Sequence, residues 1–378
     1  MTPERPMRIL QVMGGMARGG AEMLTMHLLR NIDRNLYRID ILTHTEEPCP
    51  YDEEVRSLGS RLIPCLGHRN PWVYAQNFRR AVRHNGPYDV IHGHLFYYNG
   101  LIMYLAKREG IKARIAHIYP IHDVKDMQSS SMVRAIYRRL ATRMIVKYST
   151  RIVSDSQSSL DNFRKIGDHD LRKESVIYPG IELQVFARSI DRDEVRRKHS
   201  LPLDRPLICY VARFMPHKNH DQVLRVADLL NRKGLRFHFA LAGTHGTRLD
   251  ALKLAVHGRS DVSLLIGLDD ISELLMAADL FFFPSLEEGF GMVAAEAAAA
   301  GLPIVATDLP SIREACPPGH RRFMFCPNDD EAAASHIESI LDDAELRAAL
   351  VKEARQWVQT YSFRNTLDQI VSIYGKNS

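Results

Sequence analysis

The 378-residue chain is 45% hydrophobic and 25% charged, which excludes a mostly disordered protein and supplies apolar mass for two or three domains with cores of their own. Its five cysteines (Cys49, Cys65, Cys209, Cys316, Cys326) are scattered without zinc or redox spacing, and no run approaches ~20 apolar residues, which excludes a disulfide framework and a membrane-spanning helix. The net charge of +5 is uneven: residues 1–185 carry a net of +8 and residues 186–378 a net of −3, so the first half is the part suited to meet an anion.

The first twenty residues lack the apolar core and cleavage site of a signal peptide and read as a strand running into a glycine turn, so a cytoplasmic location is expected. Strands are predicted at Met7–Met13, Arg38–Thr43, Val90–His92, Arg114–His117 and Thr150–Ser154, with helices such as Ala21–Asn31, Val73–His84 and Met132–Lys147 between them. A charged, aperiodic stretch, Ile181–Pro206, follows and is read as a hinge. The pattern then restarts, with strands at Leu207–Val211, Arg236–Ala242, Val262–Ile266, Leu280–Phe283 and Ile304–Ala306 and helices such as His220–Lys233, Ile271–Ala277 and Met292–Ala300. Strand and helix in series predict an α/β protein with two doubly wound, Rossmann-like parallel sheets. Ligands bind outside the carboxyl ends of such strands, so two of these domains face to face would enclose a cleft.

Three motifs sit where strands end. GGMARGGAE, Gly14–Glu22, opens a helix; its glycines let the backbone approach an anion, although their order is not the dinucleotide fingerprint and an ordinary turn is the alternative. In ARFMPHKNH, Ala212–His220, Arg213 and Lys218 flank a turn at Pro216, so a planar fork and a point charge can converge on one diphosphate; the alternative is two solvated cations. In FFFPSLEEGFGMVAAEAAAAGLPIVATD, Phe281–Asp308, Glu288 lies in the turn and Glu296 two helical turns beyond it. An acceptor-only carboxylate suits a ribose diol, and an unpaired charge in so apolar a segment is expensive.

Other signals have bland readings. Asp168-His169-Asp170 and Asp191-Arg192-Asp193 have the DxD spacing of metal-dependent sugar transferases but follow no clear apolar strand, so they read as solvated loops. His92 and His94 have no evident third partner for a metal, which leaves acceptor contact or packing. Met132–Arg151 carries Arg139, Arg143, Lys147 and Arg151 at four-residue intervals beside Met132, Val133, Ile136, Leu140, Met144 and Val146; it reads either as a membrane-surface helix or as a packed helix with a solvated basic face.

Taken in order, GGAE, DVIHGH (Asp89–His94), SDS (Ser154–Ser156), VIYPGIE (Val176–Glu182), RFMPHK (Arg213–Lys218), LAG (Leu241–Gly243) and the EEGFGMVAAEA block resemble a family 4 glycosyltransferase of the GT-B fold over nearly the whole chain. RFMPHKNH and RIAH further resemble the transferases that build bacterial exopolysaccharides and surface glycans. The resemblance implies domains over 1–181 (acceptor-binding), 182–357 (linker and nucleotide-sugar donor-binding) and 358–378 (a helix packing back on the first domain). It implies that Arg213 and Lys218 neutralise the donor's diphosphate and that Glu296 binds the ribose. Glu288 would lie near the donor sugar, and Phe290, Gly291 and Met292 would line the site through backbone amides. Gly243 would line it too, and Gly19 and Gly20 would close over the phosphates. The family's histidine near the donor sugar matches His117 or His122; His117 is favoured because it directly ends a strand. Pro179-Gly180 departs from the family's frequent Asn-Gly.

The implied chemistry is retaining transfer from a nucleotide-diphosphate sugar to a glycan or lipid-linked acceptor, with no metal or other cofactor and no nucleic-acid partner. UDP is the expected carrier, with GDP open. A sugar-nucleotide epimerase or phosphorylase, or a non-catalytic nucleotide-binding relative, are the rival readings.

Overall fold

The computed structural model describes residues 5–17, 19–119 and 132–375. The chain divides into two units, one formed by the chain up to Gly180 together with the segment from Phe363 onward, the other by Ile181–Ser362.

The first unit is built on seven strands: β1 Met7–Met13, β2 Tyr37–Thr43, β3 Leu62–Pro64, β4 Val90–Gly93, β5 Ala113–Ile118, β6 Arg151–Ser154 and β7 Glu174–Val176. They form one parallel sheet in the order β3-β2-β1-β4-β5-β6-β7. Along a strand successive side chains point to opposite faces. Leu10, Val12, Leu42, Ile91 and Ala116 accordingly join one core with Tyr74, Phe78, Ile102 and Met103, while Ile9, Ile41, Val90, Ile115 and Val153 join another. The second core is closed by Met26 and Leu29 of the helix Gly20–Asn31 and by Ile370, Ile373 and Tyr374 of the helix Phe363–Gly375. Burial on both faces explains the near-continuous apolar runs of the central strands. The C-terminal helix is admitted by Gly180, where a side chain would come within 2.6 Å of Thr366 Oγ1; that hydroxyl donates instead to the Tyr178 carbonyl at 2.9 Å.

The second unit has six strands: β8 Leu207–Val211, β9 His238–Gly243, β10 Val262–Ile266, β11 Leu280–Phe283, β12 Ile304–Thr307 and β13 Met324–Phe325. Their order is β10-β9-β8-β11-β12-β13, again parallel. Ile208, Tyr210 and the three phenylalanines Phe281–Phe283 are fully buried.

Two expectations need correction. Ile181–Pro206 is not aperiodic: it holds the short helices Leu183–Phe186 and Arg192–Lys198 and belongs to the second unit, which begins at Ile181. Buried Arg196 donates to the Ala277 carbonyl at 2.8 Å and pairs with Asp279 at 2.7 Å, while Arg192 takes the other Asp279 oxygen at 2.6 Å. The charge density that reads as solvent-facing is spent on this docking. The sequence also hides β3, β7 and β13, all at sheet edges and only two or three residues long.

Candidate active site

In the second unit the site is assembled from loops that leave the carboxyl ends of β8, β9 and β11. Arg213 lies two residues past β8, exposed, and its guanidinium has no hydrogen-bond partner among the described residues. Lys218 ends the single 3-10 turn Pro216–Lys218, and its ammonium lies 2.6 Å from Glu288 Oε1 in the loop after β11. The two loops are tied together by backbone: the Leu286 amide donates to the His217 carbonyl at 2.8 Å. Buried Tyr210 adds a second tie, its hydroxyl donating to the Lys218 carbonyl at 2.6 Å and lying 3.1 Å from Ser285 Oγ.

Asn219, which the sequence reading passed over, makes a third tie. It is buried in the left-handed region (φ 54°), and its side-chain amide donates to Gln222 Oε1 at 2.8 Å and to the Pro284 carbonyl at 3.2 Å. Asparagine tolerates that backbone geometry better than other side-chain-bearing residues. Gly243 ends β9 against the Ala212 carbonyl oxygen, where any Cβ would collide, and with Phe214 Cζ 3.1 Å from the Cβ position. Close packing of the Arg213 loop therefore requires that glycine.

Gly291 sits in the left-handed region (φ 87°) at the start of the helix Met292–Ala300, whose first amides receive no side-chain cap. Phe290 is buried and stacks on Tyr361 at 5.6 Å between ring centroids, so only its backbone is placed to serve a ligand. Met292 opens the helix and is half-buried. Glu296 is half-buried one face along, without a hydrogen-bond partner among the described residues, and burial pushes its carboxyl up to about 7. An uncapped helix start whose preceding loop is bonded to the loop that carries a paired lysine and a free arginine is a chemically suitable phosphate site.

In the first unit, Gly19 precedes and Gly20 begins the helix Gly20–Asn31, which also lacks a side-chain cap. A Cβ on Gly20 would meet open space. His117 lies in β5, fully buried, next to the strand's last residue. His122 lies outside the described residues.

The structure supplies the third partner that His92 and His94 lack in sequence. It is His117, delivered by the neighbouring strand, and the ring nitrogens of the three lie within 4.8 Å of one another. Burial holds all three imidazoles neutral: His94 falls to about 3, and His92 and His117 lie well below the ordinary histidine range. The set does not fit a cation as arranged. A tetrahedral zinc with bonds of about 2.0–2.1 Å needs nitrogens about 3.4 Å apart. Here five of the six nitrogens are already engaged, His92 Nδ1 with Tyr374 OH (3.0 Å), His92 Nε2 with His117 Nδ1 (3.2 Å), His94 Nδ1 with Tyr119 OH (2.8 Å) and His94 Nε2 with Gln11 Oε1 (2.7 Å), which leaves His117 Nε2 alone without a partner among the described residues.

The two DxD strings are occupied locally. Asp168 pairs with Arg143 at 3.1 Å, Asp170 with Arg172 at 3.0 Å, and Asp191 caps the helix Arg192–Lys198 by accepting from the Asp193 amide at 2.9 Å. The helix Met132–Tyr148 is buried only from Ala141 onward; Met132, Val133, Ile136, Tyr137 and Leu140 are all more than half exposed. No helix among the described residues is long and apolar enough to cross a membrane.

Comparison with known proteins agrees with this geometry. Residues 18–185 match Glycosyltransferase Family 4, and residues 191–357 match Glycosyl transferases group 1. EpsF of Bacillus subtilis (strain 168), which carries the name of a glycosyltransferase, is 34% identical over 309 residues, covering 80% of this chain and 79% of its own length. The crystal structure of Anabaena Alr3699/HepE in complex with UDP superposes with a TM-score of 0.81 at 17% identity, covering 97% of this chain and 99% of that one, and the UDP-glucose complex of the same protein gives 0.80. WaaG, a glycosyltransferase involved in lipopolysaccharide biosynthesis, gives 0.71 at 18% identity, covering 97% and 100%. Two parallel-sheet units, the ordered motifs and this kinship together place the chain in glycosyltransferase family 4, with the GT-B fold.

Proposed function

We propose that this glycosyltransferase is a retaining, metal-independent enzyme that moves a hexosyl group from a UDP-sugar to a glycan or lipid-linked acceptor during surface polysaccharide synthesis. The observation that carries the reading is the loop pair after β8 and β11, which holds Lys218, Arg213, Glu288 and the uncapped helix start in one stitched assembly. As the anomeric bond breaks, negative charge grows on the leaving diphosphate; Arg213, Lys218 and the Gly291–Met292 amides stabilise it, and no cation is needed for the task. Glu296 accepts the ribose hydroxyls. No carboxylate is assigned as a nucleophile, so attack comes from the face of departure, with the diphosphate oxygen taking the acceptor's proton. His117 contacts the donor sugar, and Gly19 and Gly20 attend the phosphates. The UDP and UDP-glucose complexes of HepE support UDP as carrier. The involvement of WaaG in lipopolysaccharide biosynthesis supports a surface glycan as destination.

The acceptor docks on the basic first unit. The exposed apolar end of Met132–Tyr148, flanked by Arg139 and Arg143, supports peripheral contact with an anionic membrane at the cytoplasmic face, where each basic residue adds about 1 kcal/mol.

Thermal unfolding with UDP, GDP, ADP and CDP, each with and without chelator, tests the donor assignment. A ligand at 100 times its Kd stabilises by about 2.7 kcal/mol, and each kcal/mol is worth about 2–4 °C at this domain size. A shift with UDP that survives chelator is expected. Silence from all four nucleotides would remove the nucleotide-sugar reading and return weight to a non-catalytic relative. Product NMR of the anomeric proton then decides retention.

A further inference from the structure

Four residues in the first unit form an unbroken hydrogen-bond chain that links the first strand, the last helix and β5. Gln11 Nε2 donates to the Tyr374 hydroxyl at 2.9 Å. That hydroxyl has one proton of its own, and it lies 3.0 Å from His92 Nδ1. His92 Nε2 lies 3.2 Å from His117 Nδ1. His117 Nε2 is buried and has no partner among the described residues. The same glutamine starts a second arm, in which its Oε1 accepts from His94 Nε2 at 2.7 Å and His94 Nδ1 accepts from the Tyr119 hydroxyl at 2.8 Å.

Proton bookkeeping gives this chain a direction. A neutral imidazole carries one N–H and one lone pair. Because Tyr374 receives from Gln11, its own proton goes to His92 Nδ1, which must then be the bare nitrogen. His92 therefore carries its proton on Nε2 and gives it to His117 Nδ1. His117 in turn must carry its proton on Nε2, the one nitrogen that nothing else engages. Rotating the Gln11 amide by 180° would invert every bond and leave a lone pair at that position.

We propose that Gln11 and Tyr374 act as positioning residues which, through His92, lock His117 in the Nε2–H tautomer, so that the end of β5 presents a hydrogen-bond donor to an oxygen of the bound ligand. An N–H donor recognises a sugar hydroxyl or ring oxygen and cannot abstract a proton. The use of that donor rests on the proposed transferase reading; the tautomer itself does not.

The test separates the two. In the full-length protein labelled with ¹⁵N-histidine, long-range ¹H–¹⁵N correlation spectra distinguish the two neutral tautomers, and comparison with His117→Gln assigns the signal. The wild-type protein is expected to show His117 as Nε2–H. Tyr374→Phe, which keeps the ring and removes the hydroxyl, is expected to release His92 and His117 into a mixture of tautomers, and Gln11→Glu, which replaces the donor by an acceptor, to shift His117 toward Nδ1–H. With half the molecules competent, kcat of Tyr374→Phe falls about twofold, while UDP affinity, assigned to the other unit, stays at the wild-type value. A wild-type His117 in the Nδ1–H form, or an unchanged His117 pattern in folded Tyr374→Phe, would overturn the relay. If Gln11→Glu fails to fold, Tyr374→Phe alone decides. An altered tautomer with unaltered kcat would keep the relay and instead remove His117 from the transfer reaction.

Discussion

Lys218 Nζ and Glu288 Oε1 lie 2.6 Å apart, with only 12% and 11% of the two side chains exposed. The sequence resemblance gives them separate tasks, one toward a diphosphate and one toward a sugar. In this structure each neutralises the other, so in the proposed roles a donor takes the ammonium away from the carboxylate as it binds.

That competition is measurable. Breaking a largely buried pair leaves one charge uncompensated, and Lys218→Ala is expected to cost about 1–3 kcal/mol of stability. A double-mutant cycle of Lys218→Met and Glu288→Gln, read by urea unfolding, is expected to show coupling that shrinks under saturating UDP. Coupling that is unchanged by UDP would mean that Lys218 never leaves Glu288. Transfer by Lys218→Ala is expected to fall by ~10²–10³.

Glu296 sets a second expectation through pH. Burial lifts its carboxyl from the ordinary 4.5 to about 7, so between those values the native protein holds a proton that the unfolded chain has lost. Stability contributed by this group therefore falls as pH rises through that window, by about 3 kcal/mol in total. Urea unfolding at pH 5 and pH 8 is expected to show this loss, and Glu296→Gln to abolish it. In the proposed role the ionised form accepts the ribose hydroxyls, so the Kd for UDP is expected to fall from pH 6 to pH 8 in the wild type and to stay flat in Glu296→Gln.

His220 works in the opposite direction. It is buried between Tyr210 and Phe214, at 5.0 and 5.2 Å between ring centroids, and neither ring nitrogen has a partner among the described residues. Burial lowers it from 6.5 to about 4. The unfolded state gains a proton below 6.5 that the native state refuses until about 4, so stability drops as pH falls through that range, by about 3 kcal/mol. His220→Phe is expected to remove that acid sensitivity and to add about 1–3 kcal/mol at pH 7, since two buried unpaired polar atoms disappear. A melting temperature below wild type at pH 7 would show that the ring nitrogens are satisfied in solution.

The amphipathic helix gives a fourth expectation. Ile136 and Leu140 are more than half exposed one turn apart on Met132–Tyr148. Co-sedimentation with vesicles of anionic and neutral lipid is expected to show binding to the anionic ones alone, weakened by Ile136→Asp with Leu140→Asp and by salt. Equal binding of the double variant would remove this face as the membrane contact. Both positions belong to the first unit and the loops after β8 and β11 to the second, so the UDP shift of the variant is expected to match wild type.

The inner strands were readable because both faces are buried: β8 and β11 are apolar or aromatic throughout and β1 departs only at Arg8 and Gln11, so their runs stand out as Met7–Met13, Leu207–Val211 and Leu280–Phe283. The edge strands β3, β7 and β13 pair on one side only and leave no such imprint. The proposed donor-site residues Arg213, Lys218 and Glu288 stand out because they lie in loops just after strand ends. The histidine cluster was not, since it depends on β4 lying beside β5 in a register that sets His92 opposite Ile115 and Gly93 opposite Ala116, which no spacing along the chain encodes. Tyr374 was invisible as a partner for the same reason: 363 residues separate it from Gln11. The run Asp191-Arg192-Asp193 resembled a metal motif, but its first aspartate is a helix cap, which asks for the same short acidic side chain.

The discontinuity of the first unit has a consequence for biosynthesis. Its second core is closed by Ile370, Ile373 and Tyr374, so a nascent chain cannot complete it when Gly180 leaves the ribosome. At about 5–20 residues per second, translation from Gln11 to Tyr374 takes roughly 20–70 s. Throughout that interval the face of the sheet that the last helix will cover lacks its partner, while Ile181–Ser362 emerges as one continuous stretch and can fold before the first unit is finished. The half of the protein made first is thus the half finished last, and its uncovered apolar face is where a chaperone would have to act.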